Sequence, residues 1–402
     1  MATEGRSVES ASAPVSETLE SAGFVQLLAR ADGDALAASG LLARALVDRD
    51  TPFQVSVGRT VTARTERAHA REPAADDVTV AIGAIDADVT RLDVTDRPAT
   101  LAALDCVRDL GSTPDPVLAL AGLVAADIAP GAGESEWVLE TAKDRGLVAR
   151  RPGVAVPTAD PVDGIAHSTR LLGPWSGDID ATREALAGLD IAVDDPEALE
   201  ADDHRTIGSA VALDVVGAEE APATAAETVQ RALHPYTTPE HAVETVGGYA
   251  DVLEATARLE PGTGAALAMG HAAHEPALAA WREYGRRAHT ALEEASTSRY
   301  NGLFVVEIDD GPVEAVGRLA AAFRSPEPVV LVVSDTDGGT GEAALVTQHD
   351  DALGATVERI ARALGDERNV NAEYDIGHRR GYLRYDTIEE PSTIVETVRE
   401  LL

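Results

Sequence analysis

Two aspartates separated by one residue, Asp32 and Asp34, follow a short apolar run and precede small residues in the stretch LLARADGDALAASGLLARAL. A strand that ends in two such acids can place both carboxylates at the carboxyl end of a parallel sheet, where open α/β sheets bind ligands. Two carboxylates alone hold a divalent cation poorly, since hard cations take about six oxygen ligands and Mn²⁺ also accepts imidazole. A metal site here needs further acids or histidines from later strand ends; otherwise the pair belongs to a turn.

A second segment with chemical potential, YDIGHRRGYLRYD, lies near the C-terminus and holds the densest cluster of basic and aromatic residues in the chain. Glycine amides and guanidinium groups can hold phosphates, and tyrosine rings can stack on the bases of a single strand. The residues that this hypothesis assigns to nucleic-acid binding are Gly377, His378, Arg379, Arg380, Gly381, Tyr382 and Arg384, with Tyr385 as a second stacking face. The alternative is an edge strand whose arginines pair with neighbouring acids, and the sequence leaves both open.

Strands that alternate with helices must position both segments. The runs GFVQLLAR, TPFQVSVG and DDVTVAIGAI are short, apolar and separated by helical patterns, which predicts βαβ units and a mostly parallel sheet. The same alternation returns near the C-terminus, and the region between is chiefly helical. We therefore expect an α/β fold of two lobes: a disordered acidic leader at 1–22, a parallel-sheet lobe at 23–180, a helical connector at 181–294 and a smaller α/β lobe at 295–402.

The composition has a strong acidic bias. Of 402 residues, 69 are Asp or Glu and 33 are Lys or Arg, which gives a net charge of −36, and Lys143 is the single lysine. Such a surface repels itself at low salt but is well screened at molar salt, where the Debye length is about 3 Å. This composition is typical of halophilic, haloarchaeal proteins. Because the acidity is then an adaptation to the solvent, it does not exclude nucleic-acid binding.

Cysteine usage and hydropathy exclude several classes of protein. The single cysteine, Cys106, excludes an internal disulfide and a multi-cysteine zinc site, and its amphipathic setting predicts a buried thiol. The N-terminal stretch has no apolar core of the kind found in signal peptides, and no run approaches the ~18 apolar residues of a membrane span. We therefore expect a cytoplasmic protein without membrane contact.

The segment RADGDALAASGLLARAL resembles the first motif of the DHH phosphoesterase superfamily in its RecJ-like branch, where His-x-Asp-x-Asp-Gly precedes a helix of small residues. Asp32 and Asp34 match the two aspartates. Later landmarks follow in the family's order: PVLALAGLVAADIAPG, whose Asp127 matches a further metal ligand, and YDIGHRRGYLRYD, which resembles the Gly-Gly-His motif of the DHH-associated C-terminal domain. The resemblance spans most of residues 23–402 and implies a two-lobe fold that holds single-stranded nucleic acid at the C-terminal motif.

Several positions depart from the family's pattern. Arg30 stands in place of the histidine of the first motif, Gly83 stands where the second motif has an aspartate, and no histidine between residues 83 and 127 could supply the Asp-His-His motif. In the family, these groups hold two Mn²⁺ ions, which clamp the attacking and leaving oxygens. The resemblance therefore implies degenerate catalytic motifs and no required cofactor, with at most a residual Mn²⁺ or Mg²⁺ site at Asp32, Asp34 and Asp127. The alternative is that these three acids have no metal-binding role and are ordinary turn and helix-end residues.

Three functions remain open at this point. The absent motifs favour a catalytically inactive protein of DNA replication or repair that binds single-stranded nucleic acid, DNA rather than RNA. Such a protein resembles the RecJ-like subunit that sits beside GINS and the MCM ring of the replicative helicase. The first alternative is a manganese-dependent 5′→3′ single-strand exonuclease or phosphoesterase with a rearranged site. The second is an assembly subunit without nucleic-acid binding.

Overall fold

The computed structural model describes residues 15–72, 74–92, 97–218, 221–336, 339–348, 353–368, 370–377, 379–386 and 392–402. The first lobe contains a parallel sheet in the strand order β2-β1-β3-β4. Its strands are β1 (Phe24–Arg30), β2 (Phe53–Gly58), β3 (Asp77–Ile82) and β4 (Thr90–Arg91). Because Arg30 pairs with Gly58 and Ala29 with Ile82, the carboxyl ends of the three longer strands meet at one edge.

The described part of the first lobe also contains helices, and the longest of them is almost wholly buried. They are α1 (Val15–Glu20), α2 (Gly33–Asp48), α3 (Val61–His69), α4 (Ala99–Asp109), α5 (Pro116–Ala125), α6 (Glu136–Asp144) and α7 (Pro161–His167). The small residues of α2 let neighbours approach closely: a Cβ added to Gly40 would lie 2.6 Å from the carbonyl oxygen of Ala268. Part of the leader expected to be disordered is instead helical, because α1 buries Leu19 in the core; residues 1–14 lie outside the described part.

A helical region joins the lobes. Its helices are α8 (Ile179–Ala187), α9 (Ala201–Gly217), α10 (Ala223–Ala232), α11 (Val246–Leu259), α12 (Pro261–Ala268) and α13 (His274–Glu294). Two short strands, β5 (Ala149–Arg150) and β6 (Tyr236–Thr237), pair antiparallel beside them. Helix α11 is buried along nearly its whole length, between α2, α5 and α13.

The second lobe is a six-stranded sheet in the order β11-β12-β10-β9-β8-β7, with one parallel pair, β8 and β9. Its strands are β7 (Ser296–Tyr300), β8 (Leu303–Ile308), β9 (Val329–Thr336), β10 (Thr340–Thr347), β11 (Ala372–Ile376) and β12 (Arg380–Asp386). Its helices are α14 (Val313–Phe323), α15 (Gly354–Arg368) and α16 (Ser392–Leu401). Strand β12 lies between β10 and β11, so the expectation of an edge strand is wrong: both of its backbone edges are paired.

Two large apolar clusters and a small third one, formed by Leu28, Ala81 and Ile85, stabilise the described part of the chain. The larger core runs from the first lobe through the connector to one face of the second sheet, where Val332 and Ala344 belong to the same cluster as Leu36 of α2. The other face of that sheet packs under α15 and α16 in a separate cluster. Cys106 is buried in the larger core, as predicted. In the part of the chain that the structure describes, no helix combines the length and apolarity that crossing a membrane requires.

Candidate ligand cavity between the two lobes

A cavity of about 720 Å³ opens between the lobes at the carboxyl ends of the first sheet. Its walls come from the ends of β1 and β4, the start of α4, the end of α5 and the turn between β11 and β12. This is the edge at which open α/β sheets bind ligands. In a chain with a net charge of −36, the described lining of the cavity has slightly more basic than acidic residues. Its arginines are Arg30, Arg59, Arg91, Arg97, Arg258, Arg379 and Arg380, and its acids are Asp32, Asp34, Asp127, Glu314, Glu358 and Asp375.

Asp32 lies in the turn between β1 and α2 and caps the N-terminus of that helix. Its Oδ1 accepts a hydrogen bond from the amide of Ala35 at 2.8 Å, and its Oδ2 forms an ion pair with Nε of Arg30. Burial is the largest influence on Asp32 and opposes its ionisation, but Arg30, the amide of Ala35 and Arg258 together outweigh it and lower the pKa of this carboxyl below its ordinary value. Both oxygens of Asp32 therefore have a partner within the chain.

Asp34 caps a second helix. Its Oδ2 accepts a hydrogen bond from the amide of Ala99 at 2.8 Å, and its Oδ1 accepts one from the amide of Thr100 at 2.9 Å. The carboxylate thus stands at the N-terminus of α4, where the helix dipole favours an anion. Burial, followed by the charge of Asp32, raises the pKa of Asp34 to about 6. Asp34 therefore fastens α4 to α2, with both oxygens engaged.

Two departures from the family's pattern, Arg30 and Gly83, are in close approach. Gly83 has a φ of +118°, and a Cβ added to it would lie 3.0 Å from the Cβ of Arg30. An aspartate at this position would be strained in its backbone and crowded by Arg30. Nη1 of Arg30 also donates to the carbonyl oxygen of Ile376, at 3.2 Å, in the opposite lobe. The guanidinium of Arg30 therefore joins the Asp32 turn to the second lobe.

The three aspartates expected to form a residual metal site all line the cavity, but a metal ion does not fit them. Asp127, just after α5, has a φ of 62° and lies 3.9 Å from Nη2 of Arg380. Within the described ranges, no group of three or more His, Cys, Asp or Glu side chains is arranged to hold a metal ion. Mn²⁺ or Mg²⁺ would have to displace the amides and the guanidinium that already bind the oxygens of Asp32 and Asp34.

The segment expected to bind nucleic acid reaches the same cavity. Five of its residues line the wall: Gly377, Arg379, Arg380, Gly381 and Tyr382. The amide of Gly377 donates to the carbonyl oxygen of Arg380 at 2.7 Å and closes the turn. Arg384 lies farther along β12, where it is exposed, and His378 lies outside the described residues.

Contrary to expectation, the tyrosines of this segment offer no open ring face. Tyr382 and Tyr385 are each 4% exposed, because β12 is buried on both faces and the two rings enter different cores. The guanidinium of Arg59 lies 4.2 Å from the ring centroid of Tyr382 and covers it. Stacking of bases on these two rings would require both cores to open.

A buried ionic network beside the cavity was not predicted from the sequence. At its centre is Glu254 of α11, which is 1% exposed and contacts Arg258 at 2.9 Å, Arg318 at 3.6 Å and Arg380. Its Oε2 also accepts a hydrogen bond from the amide of Gly33 at 2.8 Å. Burial opposes ionisation, but the three arginines hold the pKa of Glu254 well below its ordinary value. The available signal was an acid and an arginine four residues apart in an otherwise apolar helix, YADVLEATARL.

Comparisons with known proteins agree with this architecture. The family described as "Uncharacterized protein rrnAC1427, C-terminal domain" matches residues 295–400. The uncharacterized protein rrnAC1427 of Haloarcula marismortui is 48% identical over 378 residues, which cover 90% of this chain and 96% of that protein.

Among solved structures, CDC45 from Entamoeba histolytica aligns with a TM-score of 0.60 at 10% identity, over 96% of both chains. A manganese-bound RecJ exonuclease aligns with a TM-score of 0.45 at 13% identity, over 96% of this chain and 94% of that one. The likeness to CDC45 over nearly the whole of both chains shows that the two proteins share a fold, and it confirms the two-lobe α/β architecture that the sequence predicts.

Proposed function

The chain belongs to the family of the uncharacterized protein rrnAC1427, and we propose that it is a catalytically inactive RecJ-like protein that binds single-stranded nucleic acid, DNA rather than RNA. The observation that carries this proposal is the engagement of Asp32 and Asp34, whose four carboxylate oxygens all accept hydrogen bonds from the chain itself. Two-metal phosphodiester cleavage needs carboxylates that are open to the ions. A cavity without such carboxylates can bind a strand and leave it intact.

The chemistry of the cavity walls supports nucleic acid as the ligand. Guanidinium groups recognise phosphate oxygens with paired hydrogen bonds, and Arg91 and Arg379 reach the cavity from the two opposite lobes. Arg91 is exposed and donates to the carbonyl oxygen of Ile85. A volume of about 720 Å³ is within the usual size of small-ligand sites, which suits a short stretch of one strand and not a duplex.

We further propose that the protein acts as a scaffold in DNA replication or repair, beside a helicase with GINS-type and MCM-type partners. The fold shared with CDC45 and the loss of the family's ligand set support this role over that of an exonuclease. In this proposal, the two-lobe architecture and the cavity arginines serve the scaffold without the metal ligands.

The proposal is tested with an end-labelled single-stranded oligonucleotide in molar KCl with Mn²⁺, in which binding is measured by fluorescence anisotropy and strand length by gel electrophoresis. We expect binding without shortening, and about tenfold weaker binding by Arg91→Ala/Arg379→Ala, since charge-assisted hydrogen bonds to phosphate are lost. The matched control is Arg286→Ala on α13, an exposed arginine that pairs with Glu283.

Two results would overturn the proposal. Shortening of the strand by the wild type but not by Asp32→Ala/Asp34→Ala would establish the manganese-dependent exonuclease instead. Absence of binding by the wild type would favour the second alternative, an assembly subunit that does not bind nucleic acid.

A further inference from the structure

Charged side chains cross from one lobe to the other at the Glu254 cluster, which comprises Glu254, Arg258, Glu314, Arg318 and Arg380. These residues come from α11, α14 and β12, and the amide of Gly33 adds the start of α2. Besides the contacts of Glu254, Nε of Arg258 lies 3.0 Å from Glu314. The side chains of Glu254, Arg258 and Glu314 are at most 8% exposed. The cluster therefore links the connector and the second lobe to the Asp32 turn in surroundings with little water.

A second set of contacts, the α3–β11 bridge, lies at another part of the cavity. Arg64 of α3 is fully buried and forms an ion pair with Asp375 of β11. The guanidinium of Arg64 also donates to the carbonyl oxygens of Gly58 and Ala84, each at 2.8 Å, at the carboxyl edge of the first sheet. Beside it, the hydroxyl of Thr60 donates to Glu373 at 2.8 Å. The bridge thus pins the edge strand β11 to the first lobe.

A third link connects the first lobe to the Glu254 cluster. Arg59, which follows β2 in the first lobe, lies 2.9 Å from Glu314 and 3.2 Å from Glu342, both in the second lobe. Glu314 is shared with Arg258, so the link is continuous with the Glu254 cluster. The apolar core that runs from α2 to one face of the second sheet also contains residues of both lobes.

Opening of the cavity would have to break these links together. Separation of the lobes would part Arg380 from Glu254, Arg64 from Asp375 and Arg59 from Glu342, and would expose apolar surface at the same time. A buried ion that loses its partner without reaching water is strongly destabilised. The pairs of Arg380 with Glu254 and of Arg64 with Asp375 are largely buried, so salt screens them much less than it screens exposed pairs. These two links therefore persist at the salt concentrations that a highly acidic surface favours.

We propose that the Glu254 cluster, the α3–β11 bridge and Arg59 lock the two lobes at one separation, so that the cavity has a fixed width and does not open and close around its ligand. The ligand must then fit a preformed cavity. This inference does not depend on the proposed function, since it concerns the free protein.

The test is single-molecule energy transfer between dyes on the two lobes of the full chain. The dyes are attached through Asp48→Cys and Glu396→Cys, both at exposed helical positions, with Cys106→Ala to remove the native thiol. We expect one narrow population whose mean does not shift between about 0.5 M and about 3 M KCl, or on addition of the single-stranded oligonucleotide. A second population, or a shift of the mean with KCl or with the oligonucleotide, would overturn the proposal. This result is read from the labelled protein alone and does not depend on whether further variants fold.

Substitutions test which residues hold the two lobes at one separation. Glu254→Gln and, separately, Asp375→Asn keep side-chain size but remove a buried charge, and we expect each to broaden the distance distribution or to add a second population. The matched control is Glu283→Gln, which removes an exposed acid paired with Arg286 on α13 and leaves the distribution unchanged. Unchanged distributions for both Glu254→Gln and Asp375→Asn would show that the ionic links do not hold the lobes.

Discussion

At the residue scale, one substitution changes the chemistry of the cavity. Where the DHH motif that this sequence resembles has a histidine, which can ligate a metal, this chain has Arg30. Its guanidinium stays protonated and has no lone pair to donate to a metal. Its guanidinium binds Asp32 and lies against Gly83. Arg30 and Gly83 are both visible in the sequence as departures from the DHH motifs, but their close approach is not, because the two residues are far apart along the chain.

The guanidinium of Arg30 stabilises the folded protein by pairing with the carboxylate of Asp32. We expect Arg30→Ala to lower the free energy of unfolding by about 2–4 kcal/mol, because Asp32 loses its ion-pair partner in a largely buried position. Denaturant unfolding in molar KCl measures this change. Arg286→Ala, whose ion pair is exposed, should stay within about 0.5 kcal/mol of the wild type. Equal losses in the two variants would contradict a buried role for Arg30.

Asp34 should make stability depend on pH. Its pKa of about 6 in the folded protein lies above that of an unfolded aspartate, about 3.9, so the native state binds more protons between about pH 4 and pH 6. Its contribution is therefore fully present below about pH 4 and is lost as the pH rises through about 6, by roughly 3 kcal/mol in total.

The comparison of the wild type with Asp34→Asn isolates this group. The difference in unfolding free energy, measured by denaturant titration at a series of pH values, should move against the wild type as the pH rises, with a midpoint near the pKa of about 6. A difference that is flat with pH would show that Asp34 titrates normally.

At the scale of elements, glycine sets how closely the helices approach. Gly285 of α13 packs against the end of α7, where an added Cβ would lie 2.0 Å from the carbonyl oxygen of His167. Gly262, in the first turn of α12, has nothing within 4 Å of an added Cβ. The two positions are therefore a matched pair for testing helix packing.

We expect Gly285→Ala to destabilise the protein by about 1–3 kcal/mol, because α13 must shift away from α7. Gly262→Ala should be neutral or stabilising by up to about 1 kcal/mol, since alanine is the better helix former. Thermal unfolding of both variants measures the contrast. A Gly285→Ala protein as stable as Gly262→Ala would show that the two helices are not closely packed.

The strands and helices of the first lobe were easier to predict from the sequence than strand order in the second lobe or contacts between distant residues. The apolar runs of β1, β2 and β3 and the small residues of α2 predict a parallel sheet with a buried helix, as found. The placement of β12 inside its sheet was not predictable, because its arginines suggest a solvent-facing edge. The charge of Arg380 is matched by Glu254, 126 residues away, and local patterns do not report such a partner.

At the scale of the whole molecule, surface and interior respond differently to salt. A net charge of −36 repels itself across the surface, whereas the Glu254 cluster and the α3–β11 bridge are buried. Surface charge is evident from composition, but the ionic links between the lobes require the folded chain. We therefore expect salt to stabilise this protein through its surface.

The midpoint of thermal unfolding should rise as KCl increases from about 0.2 M to about 3 M, because screening weakens repulsion between exposed acids far more than attraction in buried pairs. The wild type is followed by circular dichroism at fixed pH. A midpoint that falls with KCl would show that exposed ion pairs, and not surface repulsion, dominate the salt dependence.

Because Arg30 and helix amides engage all four carboxylate oxygens of Asp32 and Asp34, we expect no metal ion to bind this pair. The most direct test is a titration of Mn²⁺ into the wild type and into Asp32→Ala/Asp34→Ala in molar KCl, with free Mn²⁺ measured by electron paramagnetic resonance. Both proteins share the same acidic surface apart from this pair, so non-specific binding cancels in the comparison. We expect superimposable titration curves, whereas one or two additional ions bound tightly by the wild type alone would show that Asp32 and Asp34 still hold metal.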